Sequence, residues 1–218
     1  YLNVTIPFKR EAFKAAQIKD EVAQETGVVN TLINKGNQIY GYNTDAYGFE
    51  YLLNKNKVKV RGKNCVIFGT GATSKTVAYV LNKFGSKTIT FVSRNPKGND
   101  VVSYNDYAVI SQADILINTT PVTSESLIYF PYINRAQVFI DVVYNPFNSK
   151  MILEATQKGI KTVNGLRMLV AQAIKTYDLA YDVVTPDDVY EKIYRQILKS
   201  HVKVLSIGHP FSGKTEIF

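Results

Sequence analysis

An apolar run, Asn64-Cys65-Val66-Ile67-Phe68, ends in Gly69-Thr70-Gly71-Ala72-Thr73-Ser74 and leads into a helical pattern over residues 74–84. Few folds accept that order of events. A buried strand that passes through glycines into a helix begins a βα unit, and the free amides at the helix N-terminus suit an anion. Gly69 permits the tight turn, while Gly71 lets the backbone approach a pyrophosphate. Ser74 stands where a third glycine is usual, so a plain βα turn is the competing reading of this loop.

The alternation continues downstream. Residues 88–92, 115–118, 138–142 and 161–163 are short apolar runs of buried parallel-strand length, with a helical pattern over 153–158. Repeated βα units predict an α/β chain with a Rossmann-like doubly wound parallel sheet over residues 57–164. Ahead of it, residues 11–26 have near-helical apolar spacing and stop at Gly27. A strand over 28–33, a hairpin return over 38–43 and a helix over 46–55 capped by Asp45 complete a partial second α/β lobe, residues 1–56. Residues 165–199 read as helices broken near Thr185-Pro186, and we expect them to pack back on that lobe and leave a cleft between the two.

Composition narrows the partners. The 218 residues are 45% hydrophobic and 20% charged, a globular balance. A net charge of +8 admits nucleic acid, but the lysines are scattered without a recognition motif, so anionic small molecules are the expected partners. No apolar stretch is long enough to span a bilayer and no signal-peptide order is present, from which we expect a soluble, cytoplasmic protein with no membrane partner. The single cysteine, Cys65, reads as a buried structural thiol, and two histidines make no metal site. Because Tyr1 opens within an apolar run, the expectation is that a preceding segment is absent.

Two groups of residues carry chemistry. The second strand of the alternating region ends Ser93-Arg94-Asn95-Pro96-Lys97, where NAD-binding sheets place an acid. A carboxylate there would repel a 2′-phosphate; Arg94 would attract one, and Lys97 adds charge, so NADP is the expected cofactor. The plain alternative is a solvated arginine. Lys9, after Pro7-Phe8, and Asp45, in Asn43-Thr44-Asp45, read singly as a surface lysine and a helix cap. Together they suit the reduction of a carbonyl, since hydride addition leaves an alkoxide that an ammonium oriented by a carboxylate protonates.

Seven blocks in order, Asn3-Val4-Thr5 through Lys9, Val29-Asn30-Thr31, Asn43-Thr44-Asp45, Gly69 through Ser74, Asn118-Thr119-Thr120-Pro121, Asp141 through Pro146 and Gly165 through Gln172, resemble shikimate dehydrogenase from Tyr1 to about Lys199. The resemblance implies NADP-dependent interconversion of 3-dehydroshikimate and shikimate in aromatic amino-acid biosynthesis. It implies Lys9 as acid and base with Asp45 as partner, and Thr5, Asn30, Tyr144 and Gln172 around the polyhydroxylated substrate. It implies Glu21, Thr120, Val142 and Gly165 near the cofactor, beside Gly69, Thr70, Gly71, Ala72, Thr73, Ser93, Arg94, Asn95 and Lys97. This sequence departs from the family at Ala72, at Thr123-Ser124 and in lacking a Ser-x-Ser segment before the first block. A quinate dehydrogenase shares most of the blocks, and a non-catalytic NADP-binding module is the alternative of another class.

At the other end, Gly208-His209-Pro210-Phe211-Ser212-Gly213-Lys214-Thr215 follows a short apolar run and matches a complete phosphate-loop motif. Gly208 and Gly213 would shape it, Lys214 would reach the outer phosphates and Thr215 would hold magnesium. Residues 200–218 are therefore expected to begin a covalently fused P-loop kinase resembling shikimate kinase.

Overall fold

A two-residue turn in which both residues take the left-handed conformation matches the twist of a hairpin, and Gly36 (φ 57°) and Asn37 (φ 68°) provide one. In the computed structural model, which describes residues 1–201, the elements around this turn are β1 (Leu2–Asn3), α1 (Lys9–Ala15), β2 (Ile18–Lys19), α2 (Glu21–Thr26), β3 (Thr31–Lys35), β4 (Gln38–Tyr42) and α3 (Thr44–Lys55). They form a four-stranded sheet in the order β1-β3-β4-β2. β3 pairs antiparallel with β1 and β4, and β2 lies parallel to β4.

The single helix expected over residues 11–26 is two helices. The backbone turns extended at Ala16, Ile18 and Lys19 pair with Tyr40 and Gly41, and Asp20 restarts the helix by accepting a hydrogen bond from the Ala23 amide at 2.7 Å. Gly41 allows this approach, since a Cβ there would sit 2.6 Å from that of Ala16. Asp45 likewise differs from expectation. It lies within the first turn of α3, Asn43 holds the cap position without a side-chain capping bond, and the carboxylate is directed elsewhere.

The second sheet contains β5 (Asn64–Phe68), β6 (Thr88–Val92), β7 (Val101–Val102), β8 (Ile115–Asn118), β9 (Val138–Asp141) and β10 (Lys161–Asn164). Its order is β10-β9-β8-β5-β6-β7 and every pairing is parallel. That is the doubly wound arrangement, with its topological switch point between β5 and β8. Helices α4 (Ala72–Lys83), α5 (Tyr107–Ile110) and α6 (Lys150–Gln157) connect the strands. Alternate strand residues fill opposite cores: Cys65, Ile67 and Ile117 face Phe49, Leu53 and Leu81, whereas Val66, Phe68, Leu116 and Phe139 face Met151 and Ala155 of α6. Burial pushes the Cys65 thiol up to about 12, which keeps it protonated and unreactive.

The chain then returns through α7 (Leu166–Tyr181) and α8 (Asp187–His201). α7 lies along α3 so closely that a Cβ on Gly48 would meet the Met168 carbonyl at 2.6 Å. α8 is held to α3 by stacking of Tyr190 on Tyr51, with centroids 5.0 Å apart, and to α7 by the two-pronged pair of Arg167 and Glu191. Among the described residues, no helix is long and apolar enough to cross a membrane. The phosphate-loop residues Gly208, Gly213, Lys214 and Thr215 lie outside the described residues.

Candidate active site

Lys9 opens α1 and is buried, because the Val29 amide bonds its carbonyl and draws the helix against the first sheet. Its Nζ donates to Asp45 Oδ2 at 2.6 Å. The other carboxylate oxygen, Oδ1, accepts from Asn30 Nδ2 at 3.0 Å. Asn30 is itself fixed, since its Oδ1 accepts from the Thr44 amide at 2.8 Å. Turning the amide over would set its NH2 against that donor and take a donor from Asp45. Behind Asn30, Thr176 of α7 places its hydroxyl 2.8 Å from that of Thr31 and 3.2 Å from that of Thr44. Lys9 of α1 and Asn30, just ahead of β3, thus hold one carboxylate of α3, and the carboxylate orients one ammonium.

These groups open onto a cleft of about 510 Å³ between the two sheets. The structure brings Thr5, Asn30, Tyr144 and Gln172 to its walls together with Lys9 and Asp45. Tyr144 is half-exposed on the loop after β9, and Gln172 projects from α7 with its amide donating to the Leu169 carbonyl at 3.0 Å. Thr73, Thr120, Val142 and Gly165 line the opposite part of the same space. Gly165 is required there by backbone contact. A Cβ would lie 1.9 Å from the Val142 carbonyl oxygen and 2.4 Å from its carbon, and neither can rotate aside. Gly165→Ala is accordingly expected to destabilise the fold by about 3 kcal/mol, lowering the melting temperature by roughly 10 °C. A shift within about 2 °C of wild type would contradict this packing.

The turn after β5 meets the cleft through Thr73, whereas Gly69, Thr70, Gly71, Ala72, Ser93, Arg94, Asn95 and Lys97 lie outside its lining. Gly69 takes φ 112°, and a side chain there would strike the Thr119 hydroxyl at 2.8 Å. Ser74, in place of a third glycine, ties the turn together: its Oγ accepts from the Gly71 amide at 3.1 Å and lies 2.7 Å from Thr119 Oγ1, which donates to the Phe68 carbonyl. Open space faces Gly71, and the first-turn amides of α4 have no partners within the helix. Beyond β6, Ser93, Arg94, Asn95 and Lys97 follow without an acid, and Ser93 Oγ accepts from the Asn95 amide. Arg94 is exposed, and its charge opposes the upward push that burial gives the Tyr104 phenol. An anion-ready turn, room above Gly71 and an exposed arginine at the end of β6 fit a phosphorylated dinucleotide.

Thr70 and Ala72 belong to this turn, whereas Glu21 does not reach the cleft. It is exposed on the first turn of α2, with its charge felt by Tyr79 and Lys83 on the far half of α4. Sequence reasoning quoted Thr31, Thr44, Asn118 and Asp141 only as members of the resembling blocks, without a role, and did not single out Thr176. Each is a small polar residue buried in an apolar setting, and that mismatch was the available signal. Asn43, quoted only as the start of the Asn43-Thr44-Asp45 run, also has a role of its own. Its Nδ2 donates to Thr26 at 3.1 Å and to Thr76 of α4 at 2.9 Å, joining the helices of the two sheets.

A doubly wound sheet, a phosphate-ready turn and a lysine and carboxylate facing one cleft define a dinucleotide-dependent oxidoreductase. No protein-family model matches the chain. The NADP(+)-dependent shikimate dehydrogenase of Clostridium perfringens is 32% identical over 209 residues, covering 89% of this chain and 77% of that protein. The crystal structure of a chorismate mutase/shikimate 5-dehydrogenase fusion protein from Clostridium acetobutylicum is 31% identical, with a TM-score of 0.86 over 91% of this chain and 77% of its own. Shikimate 5-dehydrogenase from Thermus thermophilus, solved with NADP(H) and shikimate, is 26% identical with a TM-score of 0.78 over 89% of this chain and 77% of its own. The chain belongs to the shikimate dehydrogenase family.

Proposed function

We propose that this chain catalyses the reversible, NADP-dependent reduction of 3-dehydroshikimate to shikimate. The observation that carries the reading is the buried contact of Lys9 Nζ with Asp45 Oδ2 at 2.6 Å, on a cleft that also meets the phosphate-ready turn. NADPH, when bound, supplies the hydride. Lys9 gives a proton to the oxygen of the reduced carbonyl, and in the reverse direction its neutral amine takes the hydroxyl proton. Asp45 holds the ammonium and accepts a hydrogen bond from a neighbouring substrate hydroxyl. Thr5, Asn30, Tyr144 and Gln172 supply the hydroxyl, amide and phenol contacts that a triol needs for orientation. Gly69 to Thr73 and the α4 amides hold the pyrophosphate, and Ser93, Arg94, Asn95 and Lys97 hold the 2′-phosphate. Thr120, Val142 and Gly165 border the nicotinamide; Glu21 has only the family resemblance in its support.

Domain limits at residues 56, 164 and 199, and a cytoplasmic location, are parts of this proposal that rest on sequence. So is a fused P-loop kinase beginning near residue 200; the Clostridium acetobutylicum relative is itself a fusion protein, with a different partner. The test follows NADPH formation with shikimate and, separately, with quinate. Turnover with shikimate is expected. Inactivity with both substrates would overturn the assignment, and a strong preference for quinate would overturn the substrate.

A further inference from the structure

Asp141 ends β9 fully buried, and among the described residues it forms no salt bridge. Burial pushes its carboxyl pKa up, and the hydrogen bonds it accepts oppose that push. A charge in such a place is retained only where donors replace its water. Asn118 Nδ2 at 3.0 Å and the Val143 amide at 3.1 Å donate to Oδ1, and Ser149 Oγ at 2.6 Å donates to Oδ2.

The three donors lie on different segments. Asn118 ends β8, and its own Oδ1 accepts from both the amide and the hydroxyl of Thr120, at 3.0 and 2.7 Å. Val143 begins the loop that carries Tyr144, and Ser149 caps α6 by accepting from the Ile152 amide. One carboxylate therefore sets the turn after β8 and the loop after β9 against each other, and both turns line the cleft. Capping of α6 alone would need Ser149 but neither Asn118 nor the Val143 amide.

We infer that Asp141 is a positioning residue, holding Thr120 and Tyr144 in register across the cleft without touching substrate. The kinetic consequence rests on the dehydrogenase reading above; the structural consequence does not.

Asp141→Asn and Asp141→Ala separate geometry from charge. An asparagine still accepts from Asn118 and Val143 through Oδ1, and its NH2 donates to Ser149 Oγ in reverse, so all three links survive. Alanine loses them all. In the ligand-free protein, amide exchange at Thr120 and Val143 is expected to stay slow in the asparagine variant and to rise about a hundredfold in the alanine variant. With shikimate, kcat is expected to fall about a hundredfold in Asp141→Ala and to stay within about threefold of wild type in Asp141→Asn. Unchanged exchange in Asp141→Ala, or equal impairment of both variants, would overturn the inference.

If Asp141→Ala fails to fold, Asp141→Ser replaces it: a serine hydroxyl is too short to reach Asn118, while Asn118 itself, the acceptor of the Thr120 amide, stays in place. Thr120 should then lose protection although its own acceptor is intact; unchanged protection at Thr120 overturns the clamp. An inactive wild type would remove the dehydrogenase reading and leave the exchange measurements to decide the clamp.

Discussion

Lys9→Met is expected to lower kcat for shikimate oxidation by two to four orders of magnitude, the range associated with removing a general acid and base. Methionine keeps most of the buried stem and loses only the ammonium. The cost to stability is separate. Asp45 retains its bond from Asn30 but loses the partner at 2.6 Å, leaving a carboxylate that is mostly shielded from water. Destabilisation of roughly 1–3 kcal/mol follows from that loss. Pairing the change with Asp45→Asn removes the stranded charge, so the double variant should recover stability while remaining inactive. Thermal denaturation read beside NADPH absorbance tests both halves. A double variant that regains activity would remove Lys9 from the proton's path; one that stays as unstable as Lys9→Met would mean the pair is not what holds this corner together.

Arg94→Ala is expected to weaken NADP by roughly ten- to a hundredfold, the value of charge-assisted hydrogen bonds to one phosphate, while NAD binding stays nearly constant. Arg94 is exposed, so part of the attraction is screened in solution. Wild-type affinity for NADP should accordingly fall as salt rises, and the slope should flatten in the variant. Calorimetric titration of both nucleotides at two ionic strengths checks this. Equal wild-type affinities for NADP and NAD would refute 2′-phosphate recognition by the loop after β6.

Much of the second sheet was legible because its strands announce themselves by burial alone. Ile115 to Ile117 and Thr88 to Val92 are uninterrupted apolar or β-branched runs, and the strands expected over residues 115–118 and 88–92 have the expected limits. The break at Ala16 was not legible. β2 has only two residues, too few for periodicity to register, and it exists because Gly41 lets Ala16 come close. Asp45 misled for a related reason. Aspartate before an apolar helix ordinarily caps it, but here the tertiary pull of Lys9 and Asn30 moved the helix start to Thr44 and turned the carboxylate inward. The residues facing the cleft were readable as types and spacings; the hydroxyls and amides behind them were not, because each finds its partner more than a dozen positions away.

The hydroxyl contact between Thr31 and Thr176 spans 145 positions of the chain. A ribosome delivers Lys9, Asn30 and Asp45 early, long before α7 exists to lie along α3. Until then the groove that takes Met168 beside Gly48 is bare, and Asn30 lacks the threonine behind its support. The second sheet is complete once β8 has returned to pair with β5 and β9 and β10 have added beside it, whereas the corner that holds Lys9 and Asp45 waits for α7 to return. Such long-range closure is slow and leaves apolar surface uncovered in the interval. Slowed translation just before residue 166, or a chain stopped there, would yield a nucleotide fold beside an unfinished pocket.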